Sequence, residues 1–377
     1  MSAQLSTVDD VGHLAALGGF ALMTVARLRT LLAHHEPAEA FEVAAGRARP
    51  APLVARMLSP DVRAAWQASA GERDPTWWGD RCKQLGIRAL TARHDDFPAA
   101  LRFDPDPPGV VFVRGEVQVL EARRVALVGT RNATGSGLEL AGQLGHDLAD
   151  AGVVVVSGLA KGVDGAAHRG TLRHEHGRPL GVVGNGLDRP YPRQHADLWR
   201  TVAERGLLLS EWPPGTTPEP FRFPLRNRII AALSEVVVVV ESRERGGSLI
   251  TAQAAIERGI DVMAVPGSPR NRAANGTNQL LRDGAAPVTD AGDVLVALGL
   301  DNRRRGGSAY DPRSLPRGVE ADVLARCRRD PSTIEELVVE LELSLSEAAM
   351  AVARLERSGW VREAGGWFEA VGVWSET

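Results

Sequence analysis

The sequence predicts an α/β fold: a doubly wound, Rossmann-like and mostly parallel sheet, with a helical N-terminal domain before it and a C-terminal winged helix after it. Three observations predict it. Between residues 120 and 300 six apolar runs of strand length, "RVALVGTR", "GVVVVSGLAKG", "PLGVVGNGLD", "GLLLSEW", "EVVVVVES" and "DVMAVPG", are mostly separated by helical segments. β-branched runs that are apolar on both faces suit a parallel sheet covered by helices on both sides. Residues 1–75 show helical spacing without such runs, and residues 318–377 read as three short helices and a hairpin.

In order along the chain, "VGHLAALGGFALMTVARLRTLLAHH", "PAEAFEVAAG" and "PLVARMLSPDVRAAWQAS" repeat their apolar residues at helical intervals, which makes 1–75 a small helical domain. The helix, Gly-Gly, helix pattern of "LAALGGFALMTVARLRTLL" gives it a SAM-like or helix-hairpin-helix look, with the glycine pair as a tight connection. Residues 76–119 are a connector packing on the central domain. Their short strands and prolines, ending in "DPDPPGVVFVRGE", set an extended approach. Residues 120–300 are the α/β domain. The stretch "GLDNRRRGGSAYDPRSLPRG" loses periodicity and gains Arg, Gly, Ser and Pro, so 301–317 is a linker. In 318–377, Ser332 and Ser344 or Ser346 are N-caps for helices, and "WVREAGGWFEAV" is a hairpin turning at Gly365-Gly366. Three helices and a hairpin make a winged helix.

At 377 residues, 44% hydrophobic and 24% charged, the chain has material for two or three globular domains. No apolar run is long enough to span a bilayer, and the N-terminus lacks the pattern of an export signal, so a cytoplasmic protein away from membranes is expected. Cys82 and Cys327 have no metal-type spacing. Neither a metal nor another cofactor is expected. A net charge of −3 excludes a uniformly basic surface but leaves room for a local basic groove.

Ligands of open α/β sheets sit at the carboxyl ends of the strands. The turns there are "GTRNATGSG", "SGLAKGVDGAAH", "GNGLD", "SEWPPG", "ESRERGGSLIT" and "PGS". A dinucleotide site is opposed by detail: Gly129, Gly135 and Gly137 lack the G-x-G-x-x-G spacing and Arg131 sits among them. The second strand ends in Ser157 and Lys161 where a ribose-binding acid would stand. The P-loop pattern is absent too. Asp164 and His168, four apart on a helix, could be an acid/base pair, but the plainer reading has Asp164 capping the helix or fixing the loop and His168 hydrogen-bonding to it. Ser157 and Ser210 show no base partner, so no catalytic residue is assigned.

The most informative stretch is "EPFRFPLRNRIIAAL". Arg222, Arg226 and Arg228 alternate with Phe221 and Phe223, with Asn227 between two of the arginines and no acid among them. Arginine forks suit phosphate oxygens and an adjacent ring offers a face for a base, so a single-stranded nucleic acid would satisfy both. The competing reading pairs these arginines with Glu211 or Glu241 and buries the phenylalanines. Arg131, Lys161 and the helix start at Gly246, Gly247 and Ser248, whose free N–H groups suit a phosphate, tip the balance to binding.

Seven motifs in one order, "VALVGTRNATGSG", "VVVSGLAKGVDGAAHRGTL", "GNGLDRPYP", "LLSEWPPGTTP", "FRFPLRNRIIAALSEVVVVVES", "GGSLITAQAAIERGIDVMAVPG" and "GTNQLLRDGA", resemble the DNA-processing family DprA (Smf). The resemblance implies a non-catalytic Rossmann-like protein that binds single-stranded DNA without sequence preference, protects it and loads the recombinase RecA onto it in natural transformation and recombination. It implies a homodimer through that domain. Carried over by motif, Arg131 contacts phosphate, and Ser157, Gly158 and Lys161 match the "SGLARG" loop with lysine in place of arginine. Phe223, Arg226, Asn227 and Arg228 match "FPxRNR", with the phenylalanine stacking on a base. Gly247, Ser248, Leu249, Ile250 and Thr251 match "SGSLIT", with Gly246 where serine is common, and Asn185 stands where cysteine is usual.

The alternative is a nucleotide-binding or nucleotide-processing enzyme of the related lysine-decarboxylase-like superfamily. It needs a "PGGxGT" helix start with a catalytic arginine and glutamate, and "GGSLITAQAAIE" lacks that acid. In the C-terminal module, Val319 to Thr377, 6 basic residues face 12 acidic ones. Such a module would be repelled along a phosphate backbone, so protein contact is expected of it.

Overall fold

Six helices lead the chain in the computed structural model, which describes residues 8–300, 313 and 316–371. They are α1 (Val8–Gly18), α2 (Val25–His34), α3 (Pro37–Ala44), α4 (Pro52–Met57), α5 (Pro60–Glu72) and α6 (Pro75–Leu85). The last four open on proline, whose fixed φ suits the first helical position, and Thr24, Ser59 and Asp74 cap α2, α5 and α6 with side-chain oxygens. Leu14, Leu17, Leu31 and Trp66 are buried between them. That core runs on without a break into Phe112, Leu198, Trp199 and Leu208, so the leading helices share one core with the sheet.

The segment read as a connector builds structure of its own. It supplies β1 (Arg88–Leu90), α7 (Ala99–Arg102) and β2 (Val111–Gly115). The six expected strands follow as β3 (Arg124–Val128), β4 (Val154–Ser157), β5 (Leu180–Val183), β6 (Leu207–Ser210), β7 (Val236–Val239) and β8 (Asp261–Ala264), and β9 (Ala286–Pro287) ends the series. The sheet order is β1-β2-β6-β5-β4-β3-β7-β8-β9, with β1 and β2 antiparallel additions and the rest parallel. β2 covers the edge of β6 that would otherwise stand open. Its alternation sends Phe112 to the core shared with the leading helices and Val111 and Val113 to the other face.

Helices α8 (Gly135–Asp150), α9 (Val163–Arg173), α10 (Ala196–Arg205), α11 (Arg222–Ala232), α12 (Gly247–Ile256), α13 (Asn275–Arg282) and α14 (Ala291–Ala297) cover the sheet. The chain runs from β3 outward through β4, β5 and β6, then returns to the other side of β3 with β7. This reversal is a topological switch point, where neighbouring strand ends diverge and leave a crevice.

The chain divides into two compact units, Met1–Arg304 and Arg305–Thr377. Most of the expected linker 301–317 lies outside the described residues. The second unit has α15 (Val319–Arg329), α16 (Ile334–Glu340), α17 (Leu345–Arg357) and a hairpin of β10 (Val361–Ala364) and β11 (Trp367–Ala370). Gly365 and Gly366 make its turn with both φ positive, a conformation that glycine adopts without strain. The N-caps are Thr333 and Ser344, each in a capping box with Glu336 or Glu347. Ser332, expected as a cap, instead pairs through its backbone with Phe368. Cys82 and Cys327 are buried free thiols, and no described helix is long and apolar enough to cross a membrane.

Candidate nucleic-acid interface

A cleft of about 550 Å3 opens at the switch point, lined by the turns after β3 and β7 and by the start of α11. The turn after β3 is fixed from below. The Thr130 amide donates to the Glu241 carbonyl at 2.7 Å, and the buried Glu241 carboxylate accepts from the Thr134 amide at 2.9 Å and the Thr134 hydroxyl at 2.6 Å. Thr134 also caps α8 by accepting from the Gly137 amide. Arg131 and Asn132, on the crest of this braced turn, are exposed.

The Arg131 guanidinium lies 5.0 Å from the centre of the Phe223 ring, and Phe223 stacks with Tyr191 at 5.6 Å and 27°. Two rings and one cation therefore meet in the cleft, each able to take the face of a base or of a neighbouring guanidinium. Gly246, Gly247 and Ser248 line the same cleft at the start of α12, where the first helical amides have no carbonyl partner within the helix. Asn227 ties the two helices by donating to the Gly247 carbonyl at 3.2 Å. Arg243 and Arg245, on the turn after β7, complete the lining. Lys161 is exposed on the turn after β4, beside Ala160 of the lining. Among the described residues Arg131, Lys161, Arg243 and Arg245 enter no ion pair, and the one acid of the lining, Asp164, is buried.

Other expected contacts are turned inward. Arg226 sits on the face of α11 that carries Ile229, Ile230 and Leu233, and is buried with them. Its Nη1 donates to the Gly158 carbonyl at 2.8 Å and to the Val182 carbonyl, and its Nε to Asn227 Oδ1 at 3.1 Å. Burial pushes its pKa down to about 10, against the attraction of Asp164. It stays charged and forms the floor of the cleft, with its fork engaged by backbone. Gly158 makes room for it, since a Cβ there would lie 2.4 Å from Nη1. Arg228 is held by Glu211 at 2.7 and 2.8 Å and by Asp106 at 3.1 Å, as the competing reading of the arginines anticipated for Glu211. Ser157 is buried and donates to the Leu127 carbonyl at 2.6 Å, bracing β4 to β3. Ser248 is buried and donates to Ser242 Oγ at 2.9 Å, and Leu249 is half-buried outside the lining.

Asp164 and His168 form no pair. Asp164 accepts from the Gly158 amide at 3.2 Å and fixes the loop, and burial raises its pKa. His168 is wholly buried without a hydrogen bond to Asp164, and burial holds its ring neutral with a pKa near 3. Asn185 closes the turn after β5 by donating to the Gly186 and Arg189 carbonyls. That turn carries Tyr191 to the cleft. Sequence reasoning missed Tyr191, Arg243 and Arg245, although "GNGLDRPYP" and "ESRERGG" contain them.

Fold and cleft together define a class: a Rossmann-like α/β protein whose strand-end cleft is basic and lined by stacked aromatic rings. The chain belongs to the DNA recombination-mediator protein A family, whose model matches residues 88–299. It is 40% identical over 217 residues to the DNA processing protein DprA of Bacillus subtilis, covering 57% of this chain and 73% of that one. Its fold is similar to the crystal structure of DNA processing protein A from Streptococcus pneumoniae, with a TM-score of 0.63, 30% identity, and 78% and 98% of the two chains covered. The Helicobacter pylori protein, from a structural study of its single-stranded DNA binding mode, matches with a TM-score of 0.52, 28% identity, and 57% and 96% covered.

Proposed function

We propose that this protein binds single-stranded DNA in the strand-end cleft without sequence preference, protects it, and passes it to RecA in recombination and natural transformation. One observation carries the reading: the Arg131, Phe223 and Tyr191 stack lies in a cleft bordered by cations that enter no ion pair among the described residues. Arg131, Lys161, Arg243 and Arg245 take phosphates, the amides at Gly247 and Ser248 take another, and Phe223 and Tyr191 stack bases. Arg226, Arg228, Ser157 and Gly158 keep that surface in shape. The Helicobacter pylori likeness supports single-stranded DNA as ligand. No step of covalent chemistry is assigned. The protein works in the cytoplasm as a homodimer formed through the α/β domain, so that two clefts hold a longer strand.

Residues 1–75, 76–119 and 120–300 act as one DNA-binding body, and 318–377, tethered by 301–317, as a protein-contacting module. Fluorescence anisotropy against labelled oligo-dT tests the DNA reading. Binding is expected to weaken as salt rises, with log K falling by about 0.7 per tenfold rise in salt for each phosphate neutralised. A flat salt response would sink it. RecA should cover the strand faster when the protein is present, and a chain ending at Arg317 should keep its affinity for the strand. Loss of that affinity would contradict the role given to the acidic module.

A further inference from the structure

We propose that a second groove beside the cleft binds nucleotides of the same strand as it leaves the cleft, so that each protomer holds one continuous path with two stacking stations. This rests on the single-strand reading above. The groove, of about 670 Å3, lies where α1, the α1–α2 turn and α6 of the leading helices face the loop from β6 to α11. Its lining holds no aspartate or glutamate.

Aromatic faces and cations are interleaved in it. The Arg222 guanidinium lies 4.7 Å from the Trp212 ring and 5.0 Å from the Phe221 ring, and Arg73 lies 4.2 Å from the Trp78 ring. Glu219 and the Thr217 carbonyl hold Arg222, and the Ala15 and Ala16 carbonyls hold Arg73, so both are fixed platforms. Arg189 is exposed and enters no ion pair among the described residues. Phe221 leaves 54% of its surface exposed, a large amount for a phenylalanine on a loop rich in proline. An anionic ligand with flat apolar faces matches this surface, and a single strand has both.

Continuity selects the strand that fills the cleft. In "PFRF" the wall residues divide between the two: the outer pair, Pro220 and Phe223, lines the cleft and the inner pair, Phe221 and Arg222, the groove. In "RPY", Arg189 lines the groove and Tyr191 the cleft. Two short segments thus form a shared wall, and a chain crossing it passes from one aromatic station to the next.

The test compares the full-length protein with Phe221→Ala/Arg189→Ala and with Phe223→Ala, using a short oligo-dT that one cleft can hold and one several times longer. The groove variant is expected to bind the short strand as wild type does, to bind the long one about tenfold more weakly, and to lose about 0.7 from its salt slope. Arg189→Glu should weaken the long strand further. Phe223→Ala should weaken both strands. If Phe223→Ala weakens both and the groove variant neither, the second station is wrong and the cleft stands. If Phe223→Ala changes nothing, the cleft reading fails and this inference with it. A groove variant that keeps full affinity for the long strand but changes oligomeric state in sedimentation would make the groove a protein contact and overturn the proposal.

Discussion

Replacing Arg228 with alanine removes the partner of a carboxylate that has nowhere to go. Glu211 is 8% exposed, and burial raises its pKa against the pull of Arg228. Breaking a buried pair on one side costs about 3 to 5 kcal/mol, so Arg228→Ala should lower the unfolding midpoint sharply in a urea titration. Arg131→Ala, on an exposed crest, should leave it unchanged. A normal midpoint for Arg228→Ala would mean that the pair is not structural. His168 gives a pH-dependent counterpart. Its folded pKa near 3 lies below the ordinary imidazole value of 6.5, so the unfolded chain binds the extra proton between those values. The stabilisation is complete above about pH 6.5 and falls by about 1.4 kcal/mol per pH unit as acid is added toward 3. Urea midpoints at pH 7.5 and 5 should therefore converge for His168→Leu relative to wild type, and an equal pH drop in both would contradict the burial argument. Sequence spacing marked Arg131 and Phe223 for one cleft because their turns follow strands of one parallel sheet. It left open which arginine of α11 faces inward, since Arg222 and Arg226, four apart, share a helix face while Arg228 lies two residues further on, and spacing alone does not say which is covered. Arg243 and Arg245 escaped notice because Glu244 between them makes the turn look nearly neutral.

At the scale of elements, β3 to β8 were legible because Val and Leu runs with no polar side have one stable environment, a parallel sheet covered twice. β1 and β2 were less so. Their pairing depends on β6, far along the chain, and prolines around them suggested a connector. Thr333 displaced Ser332 as cap because Glu336 lies three residues after it and closes a capping box. The turn between β4 and α9 is where element packing sets the site. A methyl group at 158 would meet three atoms of the Arg226 guanidinium within 2.6 Å, and that guanidinium is buried and held by donation from Nη1 to two carbonyls and from Nε to Asn227. Gly158→Ala should therefore cost about 1 to 3 kcal/mol, as overpacking does. It should weaken single-strand binding with it, by displacing Arg226, which holds Asn227 in the cleft wall. Thermal unfolding and anisotropy on one preparation check both, and an unchanged midpoint would show that the floor can yield.

For the whole molecule, net charge said little, since a chain at −3 concentrates unpaired cations at one cleft and acids in its C-terminal unit. The shared core of the leading helices and the sheet was not visible in the sequence. Helical periodicity shows that a face is apolar, not what covers it. Sharing that core makes the helices one body with the sheet. The most direct measurement is the anisotropy of labelled oligo-dT and of a matched duplex with wild type and with Arg131→Ala/Phe223→Ala. Wild type should prefer the single strand, and the variant should lose about 1 to 3 kcal/mol for the base it no longer stacks, with a shallower salt slope. Equal binding of both DNAs by wild type, or a variant that binds the single strand as wild type does, would contradict the cleft as the site.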